Sequence, residues 1–155
     1  PFNAWVVLKG LETLAIRMRA QSENALNLAG WLAEQAPVSA VHYPALASHP
    51  QHALAMRQMG GSGGAVLSFD VGGDSPELAR ERAFRVLDQL ETLSLCTNLG
   101  DTKTLCAHPA STSHGRLSEA QRQASGVTQG LIRVSVGLEH QADIQADLLN
   151  ALNTL

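Results

Sequence analysis

One arginine lies where its side chain could bind a carboxylate. Arg133 falls within the run 131–136, in which Ile132, Val134 and Val136 alternate on one face of a predicted strand. Arg133 projects to the other face, and a charged side chain among apolar neighbours needs a partner or a cleft. Its planar guanidinium suits bidentate binding of a carboxylate. The pattern leaves two interpretations open, a substrate-binding arginine or a salt bridge to an Asp or Glu of this chain.

Two polar segments precede this strand within a long loop that is predicted from about residue 98 to residue 130. Segments 98–104 and 108–116 are dense in hydrogen-bonding side chains. Turn chemistry explains part of this composition, but long ordered loops in compact domains usually serve a function. We therefore expect both segments to contribute to a binding site.

Other chemistries have weaker support. The six histidines, Cys96 and Cys106 fit no HExxH, zinc-finger or CxxC spacing, so neither a metal site nor a Cys–His nucleophile is predicted. The glycine-rich segment 60–64 lacks the Lys-Ser/Thr ending of a phosphate-binding loop and precedes a strand, which favours a plain turn. We expect reduced cysteines in a cytosolic protein, with a disulfide as the alternative.

Helices and strands must position these residues. Apolar side chains at helical spacing predict one helix over the first 35 residues, a helix after Pro76 and a helix that ends the chain. Shorter helices are predicted before Gly60 and within 118–124. Four strands are predicted, at 38–43, 65–71, 93–97 and 131–136. This order predicts an α+β fold, with a small, largely antiparallel sheet and helices on one face.

Composition narrows the class of protein. The 155 residues are 45% hydrophobic and 16% charged, with a net charge of -3, which is typical of one globular domain. This balance gives no electrostatic footprint for nucleic acid, and no apolar run reaches the ~18 residues of a membrane span. Because the chain begins at Pro1, we expect a piece of a longer protein. The apolar turn 4–8 is then expected to be buried by a second domain or subunit, or to drive self-association of the fragment.

Several segments resemble the Cys/Met-metabolism family of pyridoxal-phosphate enzymes. Segment 131–139 (LIRVSVGLE) resembles the closing signature of that family, and 108–114 (HPASTSH) resembles the motif before it. Segments 1–18 and 43–59 fit as well, so the resemblance runs end to end and in order. It implies the C-terminal domain of a fold-type I enzyme. Residues 1–36 would form the interdomain helix, and residues 37–155 the α+β domain.

The resemblance implies roles for three residues. Arg133 lies at the position of the arginine that binds the α-carboxylate of the family's amino-acid substrates. The main chain around Asn98 would assist, and Ser113 matches a hydroxyl residue near the cofactor pocket. Segments 98–104 and 114–118 look most like the O-succinylhomoserine sulfhydrylases, since the γ-synthases and γ-lyases more often carry Ser in place of Asn98. The implied reaction is a γ-replacement, in which sulfide displaces succinate to give homocysteine for methionine biosynthesis.

The resemblance also implies parts that lie outside this chain. The cofactor needs a lysine amine, and neither Lys9 nor Lys103 stands in the Ser/Thr-rich context of the family's cofactor lysine. We therefore expect no catalytic residue in this chain, with pyridoxal 5′-phosphate bound by an N-terminal domain of a cytoplasmic homo-oligomer, usually a tetramer. Cystathionine γ-synthase and methionine or cystathionine γ-lyase are the alternative reactions. A non-catalytic binding or interaction module is the alternative of another class.

Overall fold

A five-stranded sheet organises the computed structural model, which describes all 155 residues. The strands are β1 (Val38–His42), β2 (Val66–Val71), β3 (Ser94–Leu95), β4 (Leu105–Ala107) and β5 (Leu131–Ser135). Their order across the sheet is β1-β2-β5-β4-β3, and every pairing is antiparallel except β3 with β4. The predicted α+β fold with a largely antiparallel sheet is confirmed.

Helices cover one face of this sheet, as predicted. The six helices are α1 (Phe2–Glu12), α2 (Leu14–Leu32), α3 (His52–Gln58), α4 (Pro76–Asp88), α5 (Glu119–Ala124) and α6 (Gln141–Leu152). Helices α2, α4 and α6 pack together over β2, where the paired residues Phe69 and Ile132 point into a shared apolar core. Both side chains are fully buried, and such burial stabilises a fold by about 1.5–3 kcal/mol per side chain.

The single helix predicted over the first 35 residues is wrong, because the structure has two helices there. Helix α1 ends at Glu12, and the backbone at Thr13 departs from helical geometry (φ -106°, ψ 2°) before α2 begins at Leu14. Gly10 and Thr13 are weak helix formers. The Arg17 guanidinium donates to the carbonyl oxygen of Gly10 at 2.7 Å and to Thr13 Oγ1 at 3.2 Å. These contacts stabilise the chain at the break between the two helices.

The long loop predicted from 98 to 130 contains a strand that the prediction missed. Strand β4 pairs antiparallel with β5, so that Cys106 lies opposite Val134 and Ala107 opposite Arg133. Three residues are too few for alternation to be visible, and all three are buried. The strands predicted near β1, β2, β3 and β5 are confirmed, although β3 is only two residues long.

Helix α1 is the most exposed apolar element. None of its residues is buried, and Phe2, Trp5 and Leu8 are 71%, 54% and 58% exposed. Within this chain the apolar turn 4–8 is therefore uncovered. None of the helices combines the length and the apolarity that crossing a bilayer requires.

Candidate functional site

The sheet face opposite the core helices carries a row of polar side chains. Strand pairing sets His42 opposite Ser68, and Ser68 opposite Arg133. Because alternate residues of a strand point to opposite faces, these three side chains share one face, and Phe69 and Ile132 point to the other. Arg133 thus lies near the middle of the sheet, on its polar side, as the alternation in its strand predicts.

Arg133 binds main-chain oxygens rather than a carboxylate. Its Nη2 donates to the carbonyl oxygens of Thr97 at 2.8 Å and Asn98 at 2.9 Å. None of the four ion pairs in the chain includes it. Its Nε is buried and has no hydrogen-bond partner. The intrachain salt bridge that the sequence left open is therefore not formed, and the guanidinium keeps unused donors.

The segment that presents these two carbonyls is held against the sheet. Ser135, two residues beyond Arg133 on the same face, accepts a hydrogen bond from the Gly100 N–H at 3.0 Å. Gln21 of α2 donates to the carbonyl oxygen of Asp101 at 2.8 Å. Main-chain N–H groups of Lys103 and Thr102 hold the pKa of the Asp101 carboxyl below its usual value. Such contacts give segment 98–104 a defined shape without secondary structure.

Glu139 forms hydrogen bonds with the C-terminal end of segment 98–104. Its two carboxylate oxygens accept hydrogen bonds from the Thr104 N–H at 2.6 Å and from Thr104 Oγ1 at 2.7 Å. The Thr104 hydroxyl oxygen in turn accepts from the Gly137 N–H at 2.9 Å. The residues that follow β5 therefore fix the residues that lead into β4, the strand that pairs with β5.

A cavity of about 280 Å³ opens beside Arg133, where β4 and β5 diverge. Its wall includes the predicted site residues Arg133 and Ser113, together with His42, Ser68 and His114. Apolar side chains complete the lining, and they are contributed by Pro109, Val66, Leu67, Val127 and Leu131. The structure therefore brings two of the three predicted site residues to one cavity.

Asn98, the third predicted residue, reaches the site by its main chain alone. Its carbonyl oxygen accepts from Arg133 Nη2, whereas its side chain is absent from the cavity wall. Ser113 lies on the wall with its hydroxyl 2.9 Å from Nδ1 of His114. The main chain at Asn98 therefore contacts Arg133, while its predicted role in substrate binding stays a prediction.

Sequence reasoning missed the His42 side of the cavity. His42 Nε2 lies 2.9 Å from a carboxylate oxygen of Asp70, whose other oxygen accepts a hydrogen bond from Thr128 Oγ1. Asp70 is 8% exposed, so this pair fixes the ring of His42 at the edge of the cavity. The only signal in the sequence is the alternation of Ser68 and Asp70 with apolar residues in β2, and it becomes informative once the strand register is known.

The lining of the cavity suits a carboxylate and offers no covalent anchor for an aldehyde cofactor. No lysine lies on its wall. The two lysines of the chain lie elsewhere. Lys9 pairs with Glu12 on α1 at 3.0 Å, and Lys103 lies in segment 98–104. Depressions of about 780 and 600 Å³ lie elsewhere on the surface, but Arg133 lines neither of them. The chemistry of Arg133, rather than cavity size, therefore identifies the candidate site.

Comparison with known proteins gives one consistent family. A family model described as Cys/Met metabolism PLP-dependent enzyme matches residues 1–153. The chain is 54% identical over its whole length to O-succinylhomoserine sulfhydrylase from Pseudomonas aeruginosa, and covers 37% of that protein. It is 46% identical, over 98% of its length, to O-acetyl-L-homoserine sulfhydrylase 1 from Thermus thermophilus, and covers 35% of it.

A solved structure gives the same result for the fold. It is a putative O-acetylhomoserine (thiol)-lyase from Campylobacter jejuni that contains N′-pyridoxyl-lysine-5′-monophosphate. It superposes with a TM-score of 0.90 at 40% identity, over 99% of this chain and 35% of that one. The chain thus spans little more than a third of the length of the relatives it matches. The chain belongs to the Cys/Met metabolism family of PLP-dependent enzymes.

Proposed function

We propose that this chain is the substrate-carboxylate-binding part of a PLP-dependent enzyme, and that Arg133 binds the α-carboxylate of the amino-acid substrate. The observation that carries the proposal is the state of the guanidinium. It is oriented by the Thr97 and Asn98 carbonyls, it has no carboxylate partner in the chain, and its Nε lacks any partner. Nε is enclosed by the chain, so an incoming carboxylate is bound through Nη1, which makes no hydrogen bond within the chain.

The other walls of the cavity would orient the substrate. The Ser113 hydroxyl lies on the cavity wall, and Ser68 lies opposite Arg133 on the neighbouring strand β2. Pro109, Val127 and Leu131 supply apolar surface that limits water around the bound carboxylate. A charge-assisted hydrogen bond gains strength where water is excluded.

For the whole enzyme we propose an O-succinylhomoserine sulfhydrylase, which replaces succinate by sulfide to form homocysteine. Support comes from Asn98 and its neighbours, which look most like that subfamily, and from the relative of that name at 54% identity. Pyridoxal 5′-phosphate, when bound, withdraws electrons from the substrate carbon that carries the amine. In this proposal a lysine outside this chain anchors the cofactor, and the residues of this chain bind and orient the substrate.

The proposed organisation follows the sequence analysis. Residues 1–36 would link an N-terminal cofactor domain to the α+β domain 37–155, and the enzyme would be a homo-oligomer in the cytoplasm. The exposed apolar face of α1 supports a covered position for this helix in a larger protein. The two free cysteines agree with a reducing compartment.

The reaction is tested by supplying the intact protein with O-succinylhomoserine or O-acetylhomoserine, each with sulfide, with cysteine or with neither. The proposal predicts homocysteine from the succinyl ester and sulfide at the highest kcat/KM. Cystathionine formed from cysteine would indicate a γ-synthase, and 2-oxobutanoate formed without a second substrate a γ-lyase. Absence of all three products would favour a non-catalytic module and contradict the proposal.

A separate experiment tests the role assigned to this chain. The 155-residue chain mixed with pyridoxal 5′-phosphate is expected to show the spectrum of the free aldehyde, because no lysine lies on the cavity wall. A stable visible band of a lysine-bound cofactor, with the lysine identified by reduction and mass spectrometry, would contradict the assignment.

A further inference from the structure

A single buried imidazole spans the gap where β4 and β5 separate. The last main-chain pair of the two strands is Ala107 with Arg133. The next residue, His108, is 2% exposed, and its Nε2 lies 2.8 Å from the carbonyl oxygen of Gln129, in the segment that leads into β5. Its Nδ1 lies 2.8 Å from Ser111 Oγ. A side chain thus replaces the strand ladder at the point where the cavity opens.

The hydrogen-bond partners of His108 determine which ring nitrogen carries the proton. The Gln129 carbonyl can only accept, so Nε2 carries the hydrogen, and neutral Nδ1 accepts from the Ser111 hydroxyl. The ring packs against Phe84 of α4 at a centroid distance of 4.9 Å. Burial and the nearby charge of Arg80 lower the pKa of His108, although the hydrogen bond to Gln129 opposes them. The imidazole is therefore neutral, and its two hydrogen bonds hold it in one orientation.

The segment after His108 is a compact turn that carries Ser113. The His108 carbonyl oxygen accepts from Thr112 Oγ1 at 2.7 Å, and the Pro109 carbonyl oxygen accepts from the His114 N–H at 2.9 Å. Any side chain at Gly115 would place its Cβ 2.9 Å from the Ser111 carbonyl oxygen, so only glycine fits without a shift. These contacts hold residues 108–115 together as one compact turn, which begins at His108.

We propose that His108 is a positioning residue, which sets the separation between Ser113 and Arg133 across the cavity. One side of its ring holds the turn that bears Ser113. The other side holds Gln129, from which the chain continues directly into β5 and Arg133. His108 does not line the cavity, so its effect is transmitted through these two walls. The catalytic consequence rests on the proposed function, whereas the structural linkage does not.

The linkage is tested by NMR on the 155-residue chain with His108→Gln. We expect the signals of Ser113 and of the Arg133 Nε–H both to shift while the core signals of α2 and α6 stay in place. His140→Asn is the matched control, because His140 only caps α6 through a hydrogen bond from the Ala142 N–H. That change should leave Ser113 and Arg133 unmoved. A folded His108→Gln chain with unchanged Ser113 and Arg133 signals would overturn the proposal.

Ser111→Ala provides a second variant if His108→Gln does not fold. It removes the partner of Nδ1 at an exposed position and leaves the ring packed. The Ser113 signals should shift, and the imidazole ¹⁵N spectrum should show an Nδ1 that has lost its donor. An unchanged Ser113 in this variant would likewise overturn the proposal.

In the intact enzyme, Ser111→Ala and His108→Gln should raise KM for the amino-acid substrate by about tenfold, the effect of one misplaced hydrogen bond. The change in kcat should be smaller, and His140→Asn should alter neither constant. If the intact protein turns over no acylhomoserine, the proposed function fails while the NMR result still decides the role of His108. Equal losses in all three variants would mark general destabilisation and overturn the positioning role.

Discussion

At the scale of single residues, Arg133 differs from the arginines of this chain that form ion pairs. Arg85 and Arg122 pair with Glu81 and Glu119 on their own helices, at 2.6 and 2.8 Å. Arg133 is oriented by two carbonyl oxygens, which accept hydrogen bonds but carry no net charge. The positive charge of the guanidinium is therefore not compensated by a carboxylate of this chain, as the proposed binding of a substrate carboxylate requires.

Burial of His108 predicts a pH dependence of stability. The folded state lowers the pKa of His108 below the ordinary 6.5. Its contribution to folding is therefore complete above that value, and is lost as pH falls from 6.5 towards the folded-state pKa. Urea unfolding at about pH 7.5 and about pH 5.5 should show a smaller loss of stability in His108→Gln than in the wild-type chain. An equal loss in both proteins would contradict the prediction.

The two cysteines are predicted to differ in reactivity. Burial raises the pKa of the Cys106 thiol to about 12, and its side chain is inaccessible. Cys96 is partly exposed. Iodoacetamide should therefore add one label to the native chain, at Cys96, and a second only in urea, as read by peptide mass spectrometry. The Cys96→Ser chain should take no label while folded, and native labelling of Cys106 would contradict this assignment.

The sequence predicts part of the site at this scale. Alternation within one strand indicates the exposed face of Arg133, and family motifs indicate Ser113. The neighbours His42 and Ser68 could not be predicted, because they meet Arg133 through the register of three strands. Register depends on packing across the sheet rather than on any local pattern.

At the scale of elements, one carboxylate joins α6 to the segment that enters β3. Asp147 is 6% exposed, and it accepts hydrogen bonds from the N–H groups of Glu91, Thr92 and Leu93 at 2.9–3.0 Å. This contact fixes the entry to β3, and two residues beyond β3 the chain presents the Thr97 carbonyl to Arg133. The site is therefore braced from the helical face of the sheet.

Replacement of that carboxylate should destabilise the fold. Asp147→Asn replaces one acceptor oxygen by an amide donor that faces at least the Glu91 N–H, which should cost about 2 kcal/mol of unfolding free energy. Asp143→Asn is the control, because Asp143 is exposed in the first turn of the same helix and should cost about 0.5 kcal/mol or less. Urea denaturation of both variants compares them, and equal stabilities would contradict the bracing role.

Helix α4 has a strong local pattern and agrees with the sequence, whereas strand β4 has no such pattern and is not predicted. Helix α4 begins after the Ser75 cap, whose side chain accepts from the Leu78 N–H, and Pro76 suits its first turn. Strand β4 has three residues and exists because β5 and β3 flank it. Its formation depends on long-range pairing, so the surrounding polar composition predicts a loop.

At the scale of the whole molecule, the apolar face of α1 has no partner in this chain. Several large side chains of this helix are more than half exposed. Such a surface is unusual for a monomer. We therefore expect the isolated chain to self-associate through α1, as the apolar turn 4–8 predicts.

Self-association should weaken when this face is made polar. Trp5→Glu combined with Leu8→Glu should shift the chain towards monomer in sedimentation velocity at high concentration. Asn3→Glu is the control for added charge, because it alters a polar position of the same helix. A wild-type chain that stays monomeric at high concentration would contradict the prediction.

The measurement that tests the account most directly is kcat/KM of the intact protein carrying Arg133→Lys, with O-succinylhomoserine and sulfide. Lysine keeps the charge but loses the planar fork, so kcat/KM should fall by about a hundredfold with the fold retained. Arg85→Lys makes the same substitution at an exposed arginine paired with Glu81, and should change nothing. Wild-type kcat/KM in Arg133→Lys would show that Arg133 does not bind the substrate carboxylate.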